Sequence, residues 1–263
     1  MLSPIFVTPP FSLFQVALSK LNYYYIDGCI GGSGVSRQSP EVRQALMRVV
    51  YYLEDVFGVI VKPVRFPQMD NAFAMFNHAA SVDSYDPKLS HVMCKSLPVE
   101  WLQWALRRGD HNFPFLVTAT MESAEGLFGN KTSATASIKT ELMQEKGKGV
   151  PTGHCADILK NEMKELLGEY GILLCPTHPS VAPFHSQSYF KPINVMYAAI
   201  FNVLGFPATT IPVGLSSEEA MPLSIQAVAS PMCDRLTLSL ANALERPFGG
   251  WVPPFKDDLD LYY

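Results

Sequence analysis

Residues 28–34 read GCIGGSG and place Ser33 among glycines. Backbone amides around a serine hydroxyl are typical of a nucleophile loop, in which a nearby base activates the hydroxyl and the amides bind an oxyanion. A base for the Ser33 hydroxyl would have to come from elsewhere in the chain. Lys256, next to Asp257, lies in the charged tail KDDLDLYY and offers no evident base for Ser33. The alternative requires only flexible residues that join a strand to a helix. We therefore interpret Ser33 as a loop serine and assign no catalytic residue.

Cysteine and histidine stand close together in two other places. Cys175 and His178 have Cys-x2-His spacing, and the pair His154-Cys155 ends 20 residues before Cys175. Four such side chains suit zinc, but this spacing matches no standard zinc module. Cys175 also ends an apolar run, where a free cysteine packs as a small hydrophobe. We predict neither a metal site nor a cofactor.

His178 and His185 flank a proline-rich loop that follows the apolar run ILLCP. In open α/β sheets, ligands bind beyond the carboxyl ends of the strands. Both histidines are therefore candidates for lining a substrate channel, and the alternative is an ordinary surface loop. Four aromatic residues either border a groove for an apolar ligand or belong to the core: Trp101, Trp104, Phe113 and Phe115.

Strands alternate with helices along the chain. Ser39-Pro40-Glu41 is a helix start, and Gly58 ends the apolar helical pattern that follows. Further helices are predicted over residues 70–81, 97–107, 156–170, 195–204 and 234–246, with Asp70 and Asp234 as capping residues. Strands are predicted over residues 21–26, 59–66, 172–176, 208–215 and 223–229. This alternation predicts an α/β fold with a parallel or mixed sheet.

Composition narrows the function. The chain has 263 residues and a net charge of −4, which gives no electrostatic footprint for nucleic acid. Its five cysteines are scattered without a CxxC pair, which is typical of free thiols in a reducing compartment. The N-terminal 20 residues lack a basic region and contain Pro4, Pro9 and Pro10, which disfavours a signal peptide or membrane span. These features favour a cytoplasmic or membrane-peripheral location.

Four segments carry a family resemblance: GILLCPTHPSVAP, FNVLGFPATTIPVGL, MPLSIQAVASPMCDRLTLSLANALER and PFGGWVPP. They resemble the C-terminal portion of amidase-signature hydrolases, and within that family the fatty-acid amide hydrolases of the second type. The resemblance defines residues 21–254 as a partial amidase-like domain, between an atypical segment over 1–20 and a charged tail over 255–263. It implies a partial mixed sheet covered by helices.

The resemblance also implies a chemistry. Such enzymes hydrolyse lipid amides or esters with a serine nucleophile, a bridging serine and a lysine base, and a lysine serves as base only where its surroundings keep it neutral. In the family, these groups precede the portion that resembles this chain. The chain as written is therefore expected to be inactive, with a lipid amide-like molecule as its ligand.

Two alternatives stay open. The first is a truncated product that binds lipids or a partner without catalysis, and a homodimer or another pairing would then form through an open sheet edge. The second is an incomplete reading of a longer gene, in which an upstream segment supplies the catalytic groups.

Overall fold

The computed structural model describes residues 16–28, 30–32, 35–83, 102, 152–185, 191–218 and 220–250. Several predictions lie outside these residues: those for Ser33, the four groove aromatics, the helix over 97–107 (apart from residue 102) and the charged tail. The chain divides into two compact units, Met1–Phe73 with Ala156–Tyr263, and Ala74–Cys155. Of the second unit, the described residues belong to two helix segments and one further helical position.

The first unit contains a five-stranded mixed sheet, which confirms the predicted fold class. The strands stand in the order β2-β1-β3-β5-β4. Their bounds are Asn22–Tyr25 (β1), Val61–Pro63 (β2), Gly171–Pro176 (β3), Ala208–Leu215 (β4) and Pro222–Ala229 (β5). β1 is parallel to both β2 and β3, whereas β5 runs antiparallel to β3 and to β4. The strands β1, β2, β3 and β4 therefore all point the same way.

Strand β3 forms the buried centre of this sheet. All six of its residues are buried, as expected for a continuous apolar run covered on both faces. In its register with β5, Cys175 lies opposite Gln226 and Ile172 lies opposite Ala229. Cross-strand partners share a face of the sheet, so this register decides which side chains meet.

The described residues include five α-helices. Their bounds are Pro40–Phe57 (α1), Ala72–Asp83 (α2), Thr152–Leu167 (α3), Met196–Leu204 (α4) and Asp234–Phe248 (α5). Short 3-10 helices precede α2 (Pro67–Asn71) and α4 (Pro192–Val195), and another precedes β1 (Leu18–Lys20). No helix in the described part of the chain combines the length and the apolar character needed to cross a bilayer.

Helices cover both faces of the sheet. α1 and α5 share a core with one face of the strands, which includes Ile225 and Ala227 of β5. Because side chains alternate along a strand, Gln226 points to the opposite face. Its amide there hydrogen-bonds to Tyr197 in α4, so α4 lies on the opposite face from α1.

Helix α1 shows how local sequence fixes an element. Ser39 accepts a hydrogen bond from the amide of Val42 at 3.3 Å, and Pro40 follows at the first helical position. Gly58 ends the helix with φ of 65°, a left-handed conformation that glycine adopts without steric cost. Six residues of the helix are buried: Val42, Ala45, Leu46, Val49, Val50 and Leu53.

Both predicted aspartate caps are wrong. α5 begins at Asp234 itself, so its N-cap position is Cys233, which makes no side-chain capping bond. Asp70 belongs to the 3-10 helix before α2, and its carboxylate lies 3.6 Å from the guanidinium of Arg65. Asp234 is itself the first residue of α5, and Asp70 lies inside a 3-10 helix. Neither aspartate therefore occupies an N-cap position.

Several element bounds also differ from prediction. α3 begins at Thr152 rather than at residue 156, and it ends at Leu167 rather than at residue 170. β2 occupies only Val61–Pro63 of the predicted 59–66 segment, and Pro63 pairs with Tyr25, the last residue of β1. Strand β4 has a bulge between Pro212 and Leu215, where the guanidinium of Arg48 donates to the carbonyl of Val213 at 3.0 Å.

Candidate functional site

The sheet topology brings three chain segments to one edge. β1, β3 and β4 point the same way, so the described residues of the segments that follow them (27–39, 177–185 and 216–221) lie beyond their carboxyl ends. The chain leaves β1 for α1 on one face and leaves β3 for α4 on the other. Adjacent strands whose connections diverge in this way form a crevice where ligands bind in open α/β sheets. We call this region the carboxyl edge.

The glycine-rich segment after β1 is held in a backbone shape that demands glycine. Gly28, Gly31 and Gly32 have φ of 146°, 119° and 72°. A Cβ on Gly32 would lie 1.9 Å from the carbonyl oxygen of Asp70. Gly28, Gly31 and Gly32 are thus explained by backbone conformation and close packing, and Ser33, which lies outside the described residues, is not needed to explain them.

Two side chains near the start of α4 hold the end of this glycine-rich segment in place. The amide of Ser36 donates to Asn194 Oδ1 at 2.9 Å, and the hydroxyl of Tyr197 donates to the carbonyl of Ser36 at 3.0 Å. Asn194 and Tyr197 are both buried. Their bonds therefore attach the segment after β1 to the start of α4.

The structure places both candidate histidines in the loop after β3. His178 is half-buried, and its Nδ1 lies 2.9 Å from the carbonyl oxygen of Ser180 and 3.3 Å from the amide nitrogen of Ser180. The amide of Ser39 donates to the carbonyl of Pro179 at 2.7 Å, which holds this loop against the start of α1. His185 is exposed. His178 is thus held at the carboxyl edge, whereas His185 faces solvent.

An ion pair at the carboxyl edge was not predicted. The guanidinium of Arg43 contacts both carboxylate oxygens of Asp27, at 2.8 and 2.6 Å, and Gln38 donates to the same carboxylate at 2.9 Å. The hydrogen bonds from Arg43 lower the pKa of the Asp27 carboxyl, against an opposing effect of burial. The position of Asp27 just after the strand LNYYYI was a usable signal, since polar residues at strand ends often serve a site.

A second acidic contact joins α1 to the β4–β5 turn. Ser217 donates to Glu41 Oε1 from its hydroxyl at 2.5 Å and from its amide at 3.0 Å. These bonds lower the pKa of the Glu41 carboxyl. No local pattern predicts this contact, because the two residues are separated by 176 positions.

Cys175 is a packing residue in this structure. It is free, completely buried and opposite Gln226, and burial raises the pKa of its thiol, against a smaller opposing effect of the neighbouring Gln226 amide. A thiol of this kind is a poor nucleophile and a poor metal ligand. Within the described ranges, no three His, Cys, Asp or Glu side chains form a group that could hold a metal ion.

The serine hydroxyls at the carboxyl edge serve structural contacts. Ser39 caps α1, Ser180 donates to the carbonyl of Val181 at 3.0 Å, and Ser217 bonds to Glu41. None of these bonds joins a hydroxyl to a lysine amine. These contacts stabilise loops and show no activated nucleophile among these three serines.

Taken together, the open mixed sheet, the helices on both of its faces and the diverging connections at the carboxyl edge define an α/β protein. The family model "Amidase" matches residues 27–238. The chain therefore belongs to the amidase-signature family, as the sequence resemblance predicted.

Two fatty-acid amide hydrolases are similar in sequence to most of this chain. The chain is 31% identical to human fatty-acid amide hydrolase 2 over 92% of this chain and 44% of that protein. It is 34% identical to fatty-acid amide hydrolase 2-B of Danio rerio, over 91% of this chain and 43% of the relative. The chain thus spans less than half the length of these relatives.

Solved structures share the fold. A crystal structure of an amidase matches with a TM-score of 0.54 at 16% identity, over 87% of this chain and 46% of that one. A 6-aminohexanoate cyclic dimer hydrolase matches with a TM-score of 0.52 at 15% identity, over 89% of this chain and 47% of that one. At these identities the matches support the architecture alone.

Proposed function

We propose that this chain forms the acyl-binding part of a fatty-acid amide hydrolase-like protein and binds a lipid amide at its carboxyl edge. The observation that carries this proposal is the divergence of α1 and α4 to opposite faces beyond the ends of β1 and β3. In open α/β sheets, ligands bind at such a divergence, and His178 lies in the loop that follows β3 there. The similarity to fatty-acid amide hydrolase 2 supplies the substrate class.

Exposed apolar side chains in the segment between β3 and α4, which also carries His178, support an apolar ligand. Phe184 is 75% exposed and Val195 is 54% exposed, and both belong to the segment that connects β3 with α4. Ala182 and Pro183, which precede Phe184 in the chain, are exposed as well. Apolar surface of this kind beside a crevice is typical of a site for an apolar ligand, here the acyl chain.

Hydrolysis requires groups that we do not assign in this chain. A serine attacks an amide only when a base accepts its proton, and the Lys-Asp pair of this sequence lies in the tail at 256–257. We therefore expect the 263-residue chain by itself to show no labelling by a fluorophosphonate probe. Specific labelling of Ser33, located by peptide mass spectrometry, would contradict this expectation.

Ligand binding is tested directly with a fluorescent long-chain fatty-acid amide. His178→Ala is expected to raise the Kd about tenfold, since one hydrogen bond or packing contact is worth about 1.4 kcal/mol. His154→Ala is the matched control, because His154 is an exposed histidine in α3. Equal affinities of the wild type and both variants would contradict a role of His178, and no binding by the wild type would contradict the proposed function.

A further inference from the structure

We infer that Gln226 is the positioning residue of the carboxyl edge: its buried amide holds both ends of the chain segment that carries His178. Gln226 lies in β5 and is 2% exposed. Its Nε2 donates to the carbonyl of Pro176 at 2.9 Å and to the carbonyl of Tyr197 at 2.7 Å. The inference rests on the proposed function only for its ligand-binding readout.

The two acceptors stand at the two ends of one connection. Pro176 is the last residue of β3, and Tyr197 lies in the first turn of α4. The segment between them includes His178 and the exposed Phe184. The side chain of Gln226 thus holds this segment both where it leaves β3 and where it enters α4.

The chemistry of the contact requires an amide. A glutamine Nε2 carries two protons, and two carbonyl oxygens accept them here. A methionine has a similar shape but no donor, and a carboxylate would place a negative charge beside two carbonyl oxygens. Either change leaves the carbonyl of Pro176 without this buried partner.

Gln226 is out of place in its strand unless it has such a role. Its neighbours Ile225, Ala227 and Val228 are completely buried apolar residues. An apolar residue at this position would satisfy the burial pattern, whereas a buried amide is retained only when its hydrogen bonds are made. The amide therefore serves the connection rather than the packing of β5.

The same network reaches the glycine-rich segment after β1. Tyr197, which accepts from Gln226 through its carbonyl, donates from its hydroxyl to Ser36. Asn194 accepts from the amide of Ser36. Gln226 therefore helps to set the relative positions of the two segments that border the crevice, those after β1 and after β3.

The test compares Gln226→Met with Thr237→Val in the full chain. Thr237 is 1% exposed, donates to the carbonyl of Asp234 and accepts from Thr209, so it is a buried polar residue away from the carboxyl edge. We expect Gln226→Met to accelerate hydrogen exchange in residues 177–185 at least about tenfold and to raise the Kd for the fluorescent fatty-acid amide about tenfold. Thr237→Val is expected to lower the Tm without either change.

Each outcome decides the inference. Equal exchange rates in residues 177–185 of both variants would overturn it, even if Gln226→Met lowers the Tm. If the wild type does not bind the amide probe, the proposed function fails, and hydrogen exchange still tests the positioning role. If Gln226→Met does not fold, scalar couplings across the hydrogen bonds are measured in the wild type. Couplings from Gln226 Nε2 to the carbonyl carbons of Pro176 and Tyr197 support the inference, and their absence overturns it.

Discussion

Single residues set the shape of the segment after β1. Gly32 approaches the backbone of Asp70 so closely that no other residue fits, and Gly31 would place a Cβ 2.7 Å from a methyl carbon of Val35. Packing thus accounts for Gly31 and Gly32 within a cluster of glycines that suggests a nucleophile loop. A glycine at such a position is required by the backbone conformation and is not by itself evidence of a catalytic role.

Gly32→Ala and Gly58→Ala separate the energetic cost of a left-handed backbone conformation from the cost of a steric contact. Both glycines have positive φ, 72° and 65°, but a Cβ on Gly58 meets nothing within 4 Å. We expect Gly58→Ala to lower the free energy of unfolding by about 1 kcal/mol. Gly32→Ala should lower it by at least about 2 kcal/mol more, since the Asp70 backbone must move. Urea unfolding measures both, and equal losses would show that the close approach does not exist.

The Asp27–Arg43 pair predicts a pH dependence. Hydrogen bonds from Arg43 place the pKa of Asp27 below its unfolded value, so the folded state is stabilised above the ordinary aspartate pKa of about 3.9. That contribution is lost as the pH falls through the lowered folded pKa. The pair is largely solvated, with Arg43 56% and Asp27 31% exposed, so the effect is small.

Asp27→Asn is expected to flatten the acid limb of stability measured by urea unfolding between about pH 2 and pH 5. Asp55→Asn, at an exposed position of α1, is the control and should keep the wild-type slope. Identical slopes for the wild type and Asp27→Asn would mean that the ion pair does not form in solution.

Elements differ in how far their sequence alone specifies them. The start and the glycine stop of α1 were both predicted, because cap, proline and apolar spacing all act within a few residues of one another. The extent of β2 was not predicted from the sequence, because its pairing with β1 stops at Pro63. The start of α3 was missed as well, since Gly153 weakens the helical pattern at a position the helix nevertheless includes.

The cap of α1 gives an element-scale prediction. Ser39→Ala removes the acceptor for the amide of Val42 and should lower the free energy of unfolding by about 1 kcal/mol. Ser19→Ala, at an exposed position, is the control and should stay within about 0.5 kcal/mol of the wild type. Guanidinium unfolding followed by circular dichroism measures both, and a neutral Ser39→Ala would show that α1 needs no cap.

At the scale of the whole molecule, the predicted pairing through a sheet edge concerns the edge strands β2 and β4 of the described sheet, of which β4 is the longer. Within the described residues β4 pairs only with β5, and Ala208 and Thr210 are exposed. Pro212 has no N–H and limits how far another strand could pair along this edge. An added strand would therefore engage the first half of β4.

Thr210→Lys tests this pairing, because a lysine on an edge strand opposes strand addition. If a second copy pairs at β4, light scattering with size-exclusion chromatography should show a dimer in the wild type and a shift toward monomer in Thr210→Lys. Leu238→Lys adds the same charge at an exposed position of α5 and should leave the dimer unchanged. A wild type that is monomeric at every concentration would contradict pairing between copies.

The sequence alone determined the features that depend on neighbours along the chain: the limits of α1, the buried strand ILLCP and the family resemblance later matched over residues 27–238. Tertiary structure decided which distant groups meet. Gln226 reaches Pro176 across 50 positions, and Ser36 reaches Asn194 across 158. Periodicity carries no information about such partners, since strand order and register bring them together. His178 was therefore proposed from its own segment, whereas the amide that we infer to position it could not be found in this way.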